Sequence, residues 1–184
     1  MKRNLFLLLL ALQSAWVIGT VATQEIRLRR AATVLLETAP VDPRDLVRGD
    51  YVILNYKISR LPADVFTPVL TNTLEAGTTV YVTLVQDGEF HRAGSASLEN
   101  PATESGLVLK GTVRSPPFFN FGSREKVHVD VDYGLERYYV REGTGTPTGK
   151  LTARVSVPKS GKGVIQEVYV DGRPYAQAMK DVAR

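Results

Sequence analysis

Residues 49–56 read Gly49-Asp50-Tyr51-Val52-Ile53-Leu54-Asn55-Tyr56, and Lys57-Ile58 prolongs the pattern. Glycine at the head of the run permits a tight turn into extended backbone. From Asp50 onward, side chains alternate between two faces with period two. Asp50, Val52, Leu54, Tyr56 and Ile58 share one face, and Tyr51, Ile53 and Asn55 share the other. The spacing predicts a strand over Asp50–Ile58. Leu54 and Tyr56 are expected in a core, with the Tyr56 hydroxyl on a polar partner. Upstream, Asp42-Pro43-Arg44-Asp45 has turn chemistry, because proline presets φ and aspartate forms Asx turns. Asp42, Arg44, Asp45, Arg48 and Asp50 thus crowd within nine residues. Such a cluster either satisfies the backbone of the turn or forms a charged site at the strand mouth.

Working outward, further short β-branched or alternating segments are separated by Gly, Pro, Asp or Asn. They are Thr33–Thr38, Thr79–Gln86, Phe90–Ala96, Leu107–Val113, Val127–Tyr133, Arg137–Arg141, Leu151–Val157 and Val164–Val170. Asp87-Gly88 signals a hairpin with a type I′ turn, and Ser160–Gly163 a second hairpin. Asp64–Leu74 reads as a short helix or an insertion loop, and Tyr175–Arg184 as a short helix or a tail. The pattern predicts an all-β domain, an antiparallel barrel or sandwich, over residues 25–184.

Residues 1–24 differ. Twenty-one uncharged residues separate Arg3 from Glu25, and the apolar stretch Leu5–Ala22 is long enough to cross a hydrocarbon layer of roughly 30 Å. The favoured reading is one transmembrane signal-anchor helix. A cleaved signal peptide ending near Thr20-Val21-Ala22 and a buried helix of a soluble fold are the alternatives. Lys2 and Arg3 favour a cytoplasmic N-terminus, against Arg27, Arg29 and Arg30. The expected location is the bacterial inner (cytoplasmic) membrane, with the β domain outside the cytoplasm.

The pattern G-D-Y-x-x-L-x-Y at Gly49, Asp50, Tyr51, Leu54 and Tyr56 resembles the bacterial GDYXXLXY family. The resemblance extends to Pro40–Leu46, to Tyr133-Gly134-Leu135-Glu136-Arg137-Tyr138-Tyr139-Val140, to Glu142-Gly143 and to Val170-Asp171-Gly172. It implies a membrane-associated protein with an extracytoplasmic β domain working beside a multispanning membrane protein. The motif specifies the family and not an activity. The binding candidates are the motif and turn residues Asp42, Arg44, Asp45, Arg48, Gly49, Asp50, Tyr51, Leu54 and Tyr56, together with Glu136 and Arg137.

Composition narrows the function. The chain holds 184 residues with 23 basic and 19 acidic side chains. Beyond residue 24 the balance is 21 to 19. That is no concentrated basic surface, which argues against a nucleic-acid partner. The absence of cysteine excludes a disulfide scaffold, a thiolate zinc site and a Cys nucleophile. The run P-x-x-L-x-x-G-D is similar to that of Ser/Lys signal peptidases, yet Thr38-Ala39-Pro40-Val41-Asp42-Pro43 offers no serine. Gly143–Lys150 fails as a phosphate loop, with Thr144 and Leu151 in place of Gly and Ser/Thr.

His128, Asp130 and Asp132 share one strand face, either as metal-type ligands or as the wet side of a strand with Val127, Val129 and Val131 inside. His91 reads as a surface residue. Pro116–Gly122, with three phenylalanines, is an aromatic loop that either folds on the core or docks a partner. Arg137, Tyr139 and Arg141 share a face opposite Tyr138 and Val140. The favoured function is a non-catalytic binding or assembly module with no cofactor. The alternative is an envelope hydrolase or metal-dependent enzyme using the Asp42–Asp50 turn or the His128/Asp130/Asp132 strand.

Overall fold

Alternating buried valines and leucines mark most strands of the body, as in Thr79–Asp87, where Val80, Val82 and Leu84 point inward. The computed structural model describes residues 2–29, 31–39, 51–67, 74–101, 106–115, 128–141 and 147–182. In chain order these form helix α1 (Lys2–Arg29) and strands β1 (Ala32–Glu37), β2 (Tyr51–Ile53), β3 (Arg60–Pro62), β4 (Thr79–Asp87) and β5 (Phe90–Ser97). Strands β6 (Leu107–Ser115), β7 (His128–Asp132), β8 (Arg137–Tyr139), β9 (Leu151–Val157), β10 (Val164–Val170) and β11 (Arg173–Pro174) follow, then helix α2 (Tyr175–Val182).

The strands pair antiparallel in the orders β1-β9-β10-β11, β2-β8 and β3-β7-β6-β4-β5. Three links draw these sheets into one barrel-like body. Thr38 bridges Tyr56, and the Ala39 N–H donates to the Asn55 carbonyl at 2.6 Å. The Lys110 N–H of β6 donates to the Gly161 carbonyl in the β9–β10 hairpin at 2.8 Å. Strand β1 also packs against β5. One continuous apolar cluster fills the interior, with Leu36, Leu54, Val82, Leu109, Val131 and Val155 fully enclosed.

The motif segment departs from the expected single strand. The β2–β8 ladder stops at Ile53, Tyr56 keeps an isolated bridge to Thr38, a 3-10 turn occupies Lys57–Ser59, and a regular ladder resumes in β3. The alternation nevertheless persists: Val52, Leu54, Tyr56 and Ile58 are all buried. Two tyrosines hold the break together. The Tyr56 hydroxyl donates to the Leu135 carbonyl at 2.9 Å, and the Tyr133 hydroxyl donates to the Ile58 carbonyl at 2.7 Å. Both bonds are buried, so each satisfies a carbonyl that the interrupted ladder leaves over. The turn Tyr133–Glu136 that makes this exchange needs Gly134 at φ +74°. The Tyr133 N–H donates to Glu136 Oε1 at 2.6 Å, and the Leu54 N–H donates to the Glu136 carbonyl at 2.8 Å.

Other turns also refine the sequence reading. The β4–β5 hairpin pairs Asp87 with Phe90, so its loop is Gly88-Glu89. Gly88 has positive φ, at +62°, and Glu89 does not, which is the II′ pattern instead of I′. At the β10–β11 hairpin, Asp171 (φ +48°) and Gly172 (φ +79°) are both left-handed. The Asp171 carboxylate accepts the Lys150 N–H at 2.8 Å and lies where a Cβ on Gly149 would stand. Strand β10 carries a bulge at Gln166, whose side chain bonds the Ser156 hydroxyl. Asp64–Leu74 begins with a 3-10 turn at Ala63–Val65, and residues 68–73 lie outside the described residues. Tyr175–Val182 is a helix that buries Tyr175 and Met179 and packs on β10.

Helix α1 belongs to a separate unit, Met1–Ala31. Within it Phe6–Ile26 is long and apolar enough to cross a membrane. None of its most apolar window is buried, and Phe6, Trp16 and Ile18 are exposed. The Thr20 hydroxyl donates to the Trp16 carbonyl at 2.8 Å and the Thr23 hydroxyl to the Thr20 carbonyl at 2.9 Å. Both hydroxyls are thereby satisfied inside the helix, as a lipid environment demands.

At one edge of the body Glu37 receives both Lys57 and Lys150. The hydrogen bond from Lys150, then that from Lys57, holds the Glu37 carboxyl below the ordinary range near 4.5. A depressed carboxylate stabilises the fold above its unfolded pKa, and this contribution disappears as pH falls through the folded value. Glu37→Gln is therefore expected to cost on the order of 0.5 kcal/mol at neutral pH. The difference from the parent should begin to shrink near pH 4.5 and vanish once pH has fallen below the lowered folded-state value, in denaturant titrations at stepped pH. Packing sets a larger penalty at Gly111. A Cβ there would lie 2.9 Å from the Asp132 carbonyl and 2.9 Å from the Tyr133 ring, besides striking Val131. Gly111→Ala should lower stability by about 1–3 kcal/mol through overpacking, read as a lower denaturation midpoint.

Candidate functional site

Period two sends the other half of the motif outward. Tyr51, Ile53 and Asn55 line a groove of about 660 Å³ on the far side of the segment from Leu54 and Tyr56. Strand β8 pairs with β2 in the register Tyr51↔Tyr139 and Ile53↔Arg137, so Arg137 and Tyr139 stand on the same face. The floor continues through Thr112 and Arg114 of β6, Asp132 of β7 and Glu136 of the turn. These meet because Thr112 and Asp132 are direct partners across the β6–β7 ladder.

Tyr51 and Tyr139 pack edge to face, with centroids 6.0 Å apart at 60°. The Arg137 guanidinium lies 5.4 Å from the Tyr51 ring centre, a cation–π contact. Tyr139 is 72% exposed, which is unusual for an aromatic ring held by a neighbour and marks this face as open. Arg114 donates through Nε to Asp132 Oδ1 at 2.8 Å and through Nη2 to the same oxygen. That hydrogen bond strengthens the proton affinity of the guanidinium beyond its usual value. Two cations and two carboxylates thus balance around the aromatic pair.

Of the residues singled out from sequence, Tyr51, Glu136 and Arg137 line this groove, whereas Leu54 and Tyr56 are buried in the core. Asp42, Arg44, Asp45, Arg48, Gly49 and Asp50 lie outside the described residues, as does the aromatic run 116–122. Asn55, Thr112 and Arg114 were not singled out. Asn55 carried a signal in the outward phase of the motif; Thr112 and Arg114 carried none, because their neighbours come from distant strands.

The strand His128–Asp132 buries Val129 and Val131 and leaves His128, Asp130 and Asp132 half-buried. Asp132 is committed to Arg114. Among the described residues, no three His, Asp or Glu gather as a cation site. Thr38, the hydroxyl in the peptidase-like stretch, is buried and donates to the Leu151 carbonyl at 2.7 Å. Lys57 and Lys150 are held by Glu37. One expectation needs correction. His91 is half-buried, with its Nδ1 enclosed and without a hydrogen-bond partner among the described residues, so it is more than a surface residue. Lys150, at the end of the phosphate-loop-like run, also lies 5.0 Å from the centre of the Phe90 ring.

An antiparallel β body with an outward-facing aromatic groove, preceded by one helix of membrane-spanning length, defines the class. The chain matches the GDYXXLXY protein family over residues 13–168 and belongs to that family. No curated protein and no solved structure matches it.

Behind the groove, burial and then the nearby Glu136 charge push the hydroxyl pKa values of Tyr56 and Tyr133 above 10. For a raised acid, the folded state keeps its proton while the unfolded chain ionises, so stability falls as pH rises past about 10. These two should stay protonated in alkaline titration at 295 nm until the fold opens. Their absorbance should then appear together with the loss of β-sheet circular dichroism.

Proposed function

We propose that this chain is a membrane-tethered, extracytoplasmic binding or assembly module of the bacterial envelope, with the β2–β8 groove as its working face. The observation that carries this reading is the division of labour within the motif. Leu54 and Tyr56 face inward and build the core, while Tyr51 faces outward and joins Arg137 and Tyr139 in an open groove. Exposed tyrosine and arginine together are the side chains most often dominant in recognition surfaces. In this reading α1 holds the module in the inner membrane beside a multispanning protein. The body lies on the outer side, where a cysteine-free fold is indifferent to oxidation.

A second reading, an envelope hydrolase, draws on the presence of Asp132 and Glu136 in one groove. Each already gives an oxygen to a structural partner, Asp132 to Arg114 and Glu136 to the Tyr133 N–H. That engagement places positioning before proton transfer and favours the binding role.

A photoreactive phenylalanine analogue at Tyr139 in living cells tests the groove. Adducts are expected at position 139 and not at Lys159, which is exposed in the β9–β10 turn. Adducts at neither position, or equally at both, would overturn the reading. A periplasm-active reporter fused after Arg184 should be active, and an inactive fusion would reverse the assigned orientation.

A further inference from the structure

We infer that the groove takes a neutral saccharide, an inference that rests on the binding-module reading above and specifies its ligand. The groove volume of about 660 Å³ falls within the range of roughly 300–1,000 Å³ typical of small-ligand sites. Its charges exclude the simpler ligands. An anion would meet Asp132 and Glu136, and a cation would meet Arg114 and Arg137, so the balanced set attracts neither. A wholly apolar ligand would strip water from all four charges without replacing its hydrogen bonds.

A sugar ring meets each requirement. One face of a pyranose is a patch of C–H groups, and its rim is a belt of hydroxyls that both donate and accept. Tyr139, exposed and braced edge-on by Tyr51, offers the ring face for the C–H patch. Around it stand planar acceptors and donors fixed in place by other contacts. Asp132 uses Oδ1 on Arg114, and Glu136 uses Oε1 on the Tyr133 N–H. The second oxygen of each has no other hydrogen-bond partner among the described residues and is left to accept from a hydroxyl. Arg137, stacked on Tyr51, donates through its fork, and the Asn55 amide does both. Side chains already anchored lose little further freedom on binding, which favours recognition of a ligand that offers only hydrogen bonds and one apolar face.

The test uses the full chain in phosphatidylcholine nanodiscs, since sugar-headed detergents would compete. Maltotriose, cellotriose and triacetylchitotriose are titrated by saturation-transfer NMR, with an alternating Val-Thr hexapeptide as the rival probe for strand addition to β8. At least one trisaccharide should saturate. Tyr139→Ala should weaken it about tenfold or more, as expected for an anchoring aromatic. Tyr139→Phe, which keeps the ring, should bind nearly as the parent. Because Tyr139 is exposed, its removal leaves the core intact, and an unchanged melting curve checks this.

No saturation by any of the three up to about 10 mM, a bound of only a few kcal/mol, would overturn the saccharide assignment. So would equal binding by Tyr139→Ala, or saturation by the hexapeptide alone. If photo-adducts at position 139 form in cells while no trisaccharide binds, the binding-module reading stands and the ligand class falls.

Discussion

Two phenolic hydroxyls crossing between neighbouring segments hold the groove-bearing face in place. Tyr56 reaches the Leu135 carbonyl, and Tyr133 reaches back to the Ile58 carbonyl. Neither bond belongs to a regular ladder. The Ile58 carbonyl is stranded where the motif segment enters its 3-10 turn, and the Leu135 carbonyl lies in the turn between β7 and β8. Removing either hydroxyl would leave a buried acceptor without a donor, a penalty larger than the net worth of the bond itself. Because the same turn supplies Glu136 and leads into Arg137, the packing of two core tyrosines fixes the position of two groove residues.

This explains why the motif has its form. Tyr56 and Leu54 set the interior, and Tyr51 works on the opposite side of the same backbone. A short β2–β8 ribbon would be marginal alone, with three residues in each strand. It gains rigidity from the hydroxyl exchange beneath it and from Tyr138, which packs edge to face with Tyr175 of α2 at 5.6 Å. The exposed Tyr139 and Arg137 and the half-buried Tyr51 thus stand on a framed platform.

Local pattern made much of the body legible. Leu151–Val157 and Val164–Val170 appear with the bounds that the sequence suggests, since apolar runs bounded by Gly, Pro and Asp leave little latitude. Burial at Val52, Leu54, Tyr56 and Ile58 followed period two even where strand pairing did not. What stayed hidden was non-local. Arg114 finds Asp132 only because β6 and β7 pair, with a register shift between Val113 and Ser115. The 3-10 turn at Lys57–Ser59 was hidden too, because β-branched Ile58 favours a strand and only the tertiary hydroxyl contacts outweigh that preference. Half the groove was therefore visible as the outward phase of one motif, and the other half emerged from topology.

The irregularity at Gln166 has a consequence for how β10 encodes its inside and outside. An extra residue in the ladder acts as a one-step frameshift. Ile165 lies in one phase of the zigzag and Val168 and Val170 in the other, yet all three lean on the same interior. The strand is in effect two short words spliced together, with the Ser156 hydroxyl marking the seam through its bond to Gln166. Excising that single letter would leave a regular zigzag in which Ile165, opposite Val155, and Val168, opposite Ala153, still face the same interior.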